Sequence, residues 1–236
     1  AESIQTNLLP KTLPQLSGIQ MAARTIPARE VGGDYFDFLL NGKKILSVAI
    51  GDVTGRGVPA ALLMTMTRSV LRSQLRPNEK PSETLERTNQ QLFNDVQESR
   101  HSVAMFFGYL HSENLEFHYT NAGQMFPLWY KHQEKKWEYL ERPGIPLGIR
   151  KDTRYQSQTI ILKPGDRLVF YTDGLVESAD NLGDRFGFDR FENLVEETRK
   201  LKPREAIERI FSTLRFFTGS EEPDDDLTLA ILDIVE

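Results

Sequence analysis

Asp34, Asp52, Asp173 and the acidic run 224–226 are the residues of this chain best placed to do chemistry, because each borders an apolar run at a glycine or a turn. Asp34 follows Gly32 and Gly33, Asp52 ends ILSVAIG, Asp173 ends RLVFYT just before Gly174, and the acidic run stands directly before LTLAILDIV. Carboxylates within about 4 Å of one another repel by roughly 4 kcal/mol at an effective dielectric of 20, and bound cations remove that cost. A carboxylate-rich, all-oxygen cage suits Mg²⁺ or Mn²⁺, and two such ions about 3.5–4 Å apart share a hydroxide and clamp a phosphoryl group for in-line attack. Metal-assisted hydrolysis of a phosphate ester is the chemistry to which these residues point. Each Asp taken alone reads as a turn or cap residue; the four sites taken together form a candidate metal cage.

The rest of the composition narrows the field. With no Cys among 236 residues, thiol catalysis, thiolate zinc sites and disulfides are excluded. The histidines at 101, 111, 118 and 132 match no metal-ligand spacing, no G-x-S-x-G elbow is present, and G-D-V-T-G-R-G lacks the spacing of a phosphate-binding loop. A formal charge of -5 argues against a nucleic-acid surface. No apolar run approaches the roughly 20 residues of a membrane span, and the opening AESIQTNLLP lacks the features of a signal peptide. A cytoplasmic protein without nucleic-acid binding or membrane insertion is the expectation.

Short strands and a few helices must position the acidic sites. From Gly18, IQMAARTIPA reads as a strand, and FDFLLNGKKILSVAIGD as two strands joined by a hairpin at Asn41 and Gly42. The spacing predicts a helix over 58–76, with Pro59 in its first turn and Leu62, Leu63, Met66, Val70 and Leu71 on its buried face. A second helix over 82–98 takes Ser82 as N-cap and turns Leu85, Leu92, Phe93 and Val96 inward. Between 102 and 172, runs rich in Val, Phe, Tyr, Ile and Trp alternate with turns, the pattern of an antiparallel sheet. Helices over 189–200 and 203–217 and a closing strand follow. This order fits an α+β layered domain better than an alternating βαβ sheet. Residues 17–236 read as one domain and residues 1–16, with Pro10 and Pro14, as a connector from something upstream.

Several motifs then run in order along the chain: V-G-G-D-Y-F-D at 31–37, G-D-V-T-G-R-G-V-P-A-A at 51–61, N-A-G at 121–123, P-G-D at 164–166, Y-T-D-G-L-V-E at 171–177 and D-D-L-T at 225–228. With Q-T-N-L-L-P near the start, they resemble the metal-dependent type 2C (PPM) protein phosphatases, most narrowly the bacterial SpoIIE-like and RsbU-like branch. The resemblance implies two stacked antiparallel β-sheets flanked by helices and a binuclear Mn²⁺/Mg²⁺ centre that hydrolyses phosphoserine or phosphothreonine. Carried over by position, it implies that Asp52 bridges the two metals, that the Val53 carbonyl binds one of them, and that Asp173 and Asp225 hold the second. Asp34 would act on the first metal directly or through a water, and Asp226 competes with Asp225 for its role. The chain departs from the pattern at Arg56 and Gln124, where the family usually has His. The same branch implies a phosphorylated protein substrate, such as an antagonist of an anti-sigma factor, and an upstream sensory or receiver domain that acts through the connector on the helix after Asp52. It leaves room for a homodimer.

Other readings are weaker. G-G-D-Y-F carries Tyr35 where a diguanylate cyclase needs Glu, and the D-x-D-x-T at 224–228 precedes an apolar strand where haloacid-dehalogenase-type phosphatases need it to follow one. Arg29 reads as an exposed strand arginine or as a fork for a substrate phosphate. A catalytically silent domain of the same fold that binds a partner is the alternative from a different class; intact carboxylates at all four sites speak against it.

Overall fold

Alternation of side chains along the strands sorts the apolar residues into three layers. The computed structural model describes Gln5, Leu8, Pro10 and residues 12–235. In chain order the strands are β1 (Ile19–Ile26), β2 (Tyr35–Asn41), β3 (Ile45–Val53), β4 (Val103–His111), β5 (Glu116–Ala122), β6 (Leu128–Lys131), β7 (Lys136–Tyr139), β8 (Gln158–Ile161), β9 (Arg167–Tyr171) and β10 (Leu227–Ile234). Helices α1 (Val58–Ser73) and α2 (Pro81–Glu98) fall between β3 and β4, and α3 (Gly174–Glu177), α4 (Gly187–Glu197) and α5 (Pro203–Thr218) between β9 and β10. The strands form two five-stranded antiparallel sheets, β1-β10-β9-β6-β7 and β2-β3-β4-β5-β8.

On β3, Leu46, Val48 and Ile50 point between the sheets, where they meet Phe170, Ala230 and Leu232. Ala49 and Val53 point the other way, under α1 and α2. On β10 the alternation repeats, with Ala230, Leu232 and Ile234 inside and Leu227, Leu229 and Ile231 outside under α4 and α5. The result is the expected helix–sheet–sheet–helix stack. Among the described residues no helix is long and apolar enough to cross a membrane.

Several sequence expectations shift in detail. Asn41 still pairs with Ile45, so the hairpin turn is residues 42–44, with Gly42 in the left-handed region at φ 65°. Helix α1 stops at Ser73, short of Arg76, and buries Ala60, Ala61, Met64, Thr67 and Leu71. Leu63, Met66 and Val70 are only partly buried, and Leu62 is 67% exposed. The small Ala60 and Ala61 decide this face, because they let the helix lie close to the sheet. Ser82 is not a cap. Pro81 opens α2 after Lys80, and the Ser82 N–H, one of the first-turn donors without a helical partner, donates to the Ser157 hydroxyl at 3.0 Å. Leu85, Leu92 and Val96 are buried as expected, with Phe93 half-buried. Helix α4 begins and ends a turn or so earlier than 189–200, whereas α5 closely matches its expected span. Of the expected connector, residues 1–4, 6, 7, 9 and 11 lie outside the described residues.

Candidate metal centre

Hairpin β2–β3 and the neighbouring strands β9 and β10 bring the acidic positions to one end of the stacked sheets. Tyr35 pairs with Gly51, so Asp34, just before β2, lies beside Asp52 near the end of β3. In the other sheet Tyr171 pairs with Leu229, and the Thr172 N–H donates to the Thr228 carbonyl at 3.1 Å. Asp173, just past β9, is thereby set against residues 224–226, just before β10. The Thr172 hydroxyl joins the two sheets: it donates to Asp34 Oδ2 at 2.8 Å and accepts from the Thr228 N–H at 3.0 Å. Two contacts leave no room for a side chain. A Cβ on Gly174 would stand 2.2 Å from the Asp226 carbonyl oxygen, and one on Gly33 would stand 2.8 Å from the Val53 carbonyl oxygen.

Asp225 and Asp226 have different surroundings. Asp226 is buried and accepts from the Ala28 N–H at 2.8 Å and the Gly33 N–H at 2.6 Å, so its carboxylate pins the loop that carries Asp34. Asp225 turns outward to Arg56, which donates through Nε to Oδ1 at 3.1 Å and through Nη2 to Oδ2 at 2.5 Å. Arg29 is exposed and lines a shallow pocket with Gly57, Val58 and Glu222 beside the site. Gln124 is buried; its Oε1 accepts from the Met125 N–H at 2.8 Å, while its Nε2 finds no partner among the described residues. Also among the described residues, no three carboxylates or imidazoles converge as a closed ligand set. Asp34 is engaged by Thr172, Asp225 by Arg56 and Asp226 by backbone.

The residues that match Stage II sporulation protein E (SpoIIE) as a family are 42–235. The chain belongs to the SpoIIE family. It is 29% identical over 232 residues to the phosphoserine phosphatase RsbU of Bacillus subtilis, an alignment that covers 98% of this chain and 68% of RsbU. The crystal structure of the RsbU and RsbW domains of Rv1364c from Mycobacterium tuberculosis has a TM-score of 0.78 and 29% identity, covering 97% of this chain and 63% of that one. The catalytic domain of the serine/threonine phosphatase PstP, crystallised with 2 manganese ions, shares the fold at a TM-score of 0.65 and 14% identity, over 92% of this chain and 99% of that one. The chain therefore spans less than two thirds of the mycobacterial two-domain chain.

In this SpoIIE-family domain the acidic edge resists its own ionisation. Burial, followed by repulsion from Asp52, holds the Asp34 carboxyl well above the usual carboxylate range. Asp52 is pushed up to about 7, by burial first and then by Asp173, Asp225 and Asp226. Burial and the nearby Asp225 raise Asp173, and burial raises Asp226 against the pull of the Ala28 and Gly33 N–H groups. A divalent cation would relieve these repulsions. The donor set fits Mg²⁺ or Mn²⁺, since it offers carboxylates and a backbone carbonyl with no thiolate or imidazole. The Arg56 guanidinium already supplies a positive charge to Asp225.

Three residues that hold the site's surroundings escape a reading of the sequence alone. Thr172 lies in Y-T-D-G as an ordinary strand residue, and nothing local marks its hydroxyl as the bridge between sheets. Arg72, on α1, donates to the buried Asp37 at 2.7 and 2.8 Å and so ties the helix to β2. Gln5 brackets Gly32, with Nε2 donating to the Gly32 carbonyl at 2.6 Å and Oε1 accepting from the Gly32 N–H at 3.0 Å.

Proposed function

We propose that this domain is a metal-dependent serine/threonine protein phosphatase that removes phosphate from phosphoserine or phosphothreonine with two Mn²⁺ or Mg²⁺ ions. Asp52 with the Val53 carbonyl, Asp173 and Asp225 would hold the ions, and Asp34 would serve the first directly or through a water. Ions held there supply an activated water and neutralise the charge of the phosphoryl group. The chain's own residues prepare the site: Thr172 fixes Asp34 and Asp226 fixes the loop before it. Arg29 and Arg56 put positive charge at the rim, where a guanidinium fork suits phosphate. The absence of Cys excludes a cysteinyl-phosphate intermediate.

The observation that carries this reading is the meeting of Asp34 and Asp52 from one sheet with Asp173 from the other, in surroundings that raise all three carboxyls, with the charge of Asp225 near enough to add to the rise of Asp52 and Asp173. The substrate is a phosphorylated partner protein in the cytoplasm, with an antagonist of an anti-sigma factor as the specific candidate; the name phosphoserine phosphatase carried by the relative RsbU supports the phosphoserine part of that reading. Residues 17–236 form the phosphatase domain, and residues 1–16 connect it to an upstream sensory or receiver domain. The bracket from Gln5 to Gly32 gives that connector a route to Asp34. Ala60 of α1 also abuts Gly33, 3.1 Å from the position of a Cβ there, so connector and helix meet at one loop. Hydrolysis of p-nitrophenyl phosphate and of a phosphoserine peptide, with Mn²⁺ and with EDTA, tests the reading. Turnover with metal alone is expected; no turnover under either condition would leave a partner-binding module of the same fold.

A further inference from the structure

Both oxygens of Asp225 are occupied. Oδ1 accepts from Arg56 Nε at 3.1 Å and from the Asp226 N–H at 2.9 Å, and Oδ2 accepts from Arg56 Nη2 at 2.5 Å. A carboxylate gripped at two points by a guanidinium has its best lone pairs committed, and a divalent ion needs at least one of them. Arginine cannot release its partner by losing a proton, because its pKa stays above about 12. It must be displaced. The backbone allows this, since Arg56 lies between Gly55 and Gly57, at φ 100° and 70°, in the exposed turn between β3 and α1. In that left-handed region glycine is the residue that adjusts at least cost.

We infer that Arg56 is a built-in competitor for Asp225, a latch that closes the ligand in the metal-free protein and opens when a metal ion takes the carboxylate. The inference rests on Asp225 being a metal ligand, as proposed above. In the closed state the acidic edge is partly neutralised by the chain itself. In the open state Arg56 stays tethered beside Arg29, whose Cδ lies 3.7 Å from the position of a Gly57 Cβ. The rim then carries two guanidiniums, free to meet a dianionic phosphate ester. The pair is half-exposed, with side chains 50% and 37% accessible, so the competition is modest in size.

Calorimetric titration of the 236-residue chain with MnCl₂ tests this, using the unaltered protein, R56A, R56K, D225N and the double variant R56A/D225N. Removing the latch should tighten binding at one Mn²⁺ site about five-fold, roughly 1 kcal/mol at 1.4 kcal/mol per tenfold. R56K, which keeps the charge and loses the fork, should fall between. In the D225N background R56A should change nothing. Unchanged or weaker Mn²⁺ binding in R56A, with native circular dichroism and with D225N still losing affinity, would overturn the latch while leaving Asp225 a ligand. Should D225N bind Mn²⁺ as the unaltered protein does, Asp225 is no ligand and the latch falls with that assignment. The sign of the R56A effect is decisive, because an arginine that merely orients Asp225 for the metal would weaken binding when removed.

Discussion

Asp37 and Asp52 stand on adjacent strands of one sheet and meet opposite electrostatic company. Asp37, 1% exposed, accepts from the Tyr35 hydroxyl at 2.7 Å and from the Arg72 guanidinium at 2.7 and 2.8 Å. Arg167 and Asp233 repeat that pattern in the other sheet at 2.6 and 2.7 Å. Asp52 receives no hydrogen bond from the described residues and faces Asp34, Asp173 and Asp225. A buried charge without a partner costs several kcal/mol. The fold meets that cost from within the chain where Asp37 and Asp233 join two elements, and leaves it standing at the acidic edge proposed above as the metal site. Arginine is the internal counter-ion in both structural pairs; at the site it reaches only the outermost carboxylate, Asp225.

The sharpest way to break this contrast is to remove the charge on each side of it. Asp52→Asn and Asp173→Asn should each lower Mn²⁺-dependent turnover by at least about 100-fold, since loss of outer-shell partners alone costs 10–100-fold. Melting of these variants in EDTA should occur at or slightly above the wild-type temperature. Near wild-type turnover at saturating Mn²⁺ would remove the residue from the site. Asp37→Ala should do the reverse, keeping metal binding but lowering stability by about 2–3 kcal/mol, a value discounted because Arg72 is 32% exposed. For a domain of this size that is a fall of roughly 4–12 °C in Tm, with or without Mn²⁺. A Tm for Asp37→Ala equal to wild type would erase the distinction between the two kinds of carboxylate.

The contrast also has a pH signature. Asp52 titrates at about 7 in the folded protein against 3.8 unfolded, so its contribution favours the folded state most at low pH and is lost as pH rises through 7. The EDTA-form Tm of Asp52→Asn minus that of wild type should therefore grow between pH 5 and pH 8. Saturating Mn²⁺ should abolish that trend in the wild type, and a flat difference in EDTA would mean that Asp52 ionises normally. The smallest expected effect belongs to Gln5→Ala, which should weaken Mn²⁺ binding about three- to ten-fold by loosening Gly32 and hence Asp34. Unchanged affinity would confine Gln5 to holding the connector in place.

Much of this was legible in the sequence, because strand-border carboxylates beside glycine and the period-two runs of β3 and β10 are local signals. The hairpin at Asn41 and Gly42 and the order of strands and helices follow from them, while the family was legible in the resemblance of the ordered motifs between residues 31 and 228. What was not legible depends on partners far along the chain. Asp225 and Asp226 are adjacent and identical in type, and what distinguishes them is the Arg56 guanidinium on the first and the N–H groups of Ala28 and Gly33 on the second. Helix α1 carries more apolar residues than one face can bury, so its orientation was decided by the close fit of Ala60 and Ala61 and by Arg72 reaching Asp37. Ser82 has the chemistry of a cap, yet it lies inside the first turn behind Pro81, and its own N–H donates to Ser157 from a distant segment. The pairing of Arg56 with Asp225 crosses between the two sheets, and no spacing rule reports on that.

Calorimetric titration of the metal-free protein with MnCl₂ at pH 7, repeated in buffers of different ionisation enthalpy, measures whether the carboxylates brought together from both sheets bind divalent cations. Two bound ions are predicted, with net release of protons, because the Asp52 carboxyl is pushed up to about 7 and a bound metal would return it to the ionised form. Asp52→Asn should lose most of the affinity and most of the proton release together. No Mn²⁺ binding, or binding that releases no protons and is unchanged in Asp52→Asn, would mean that the acidic edge is not a metal centre.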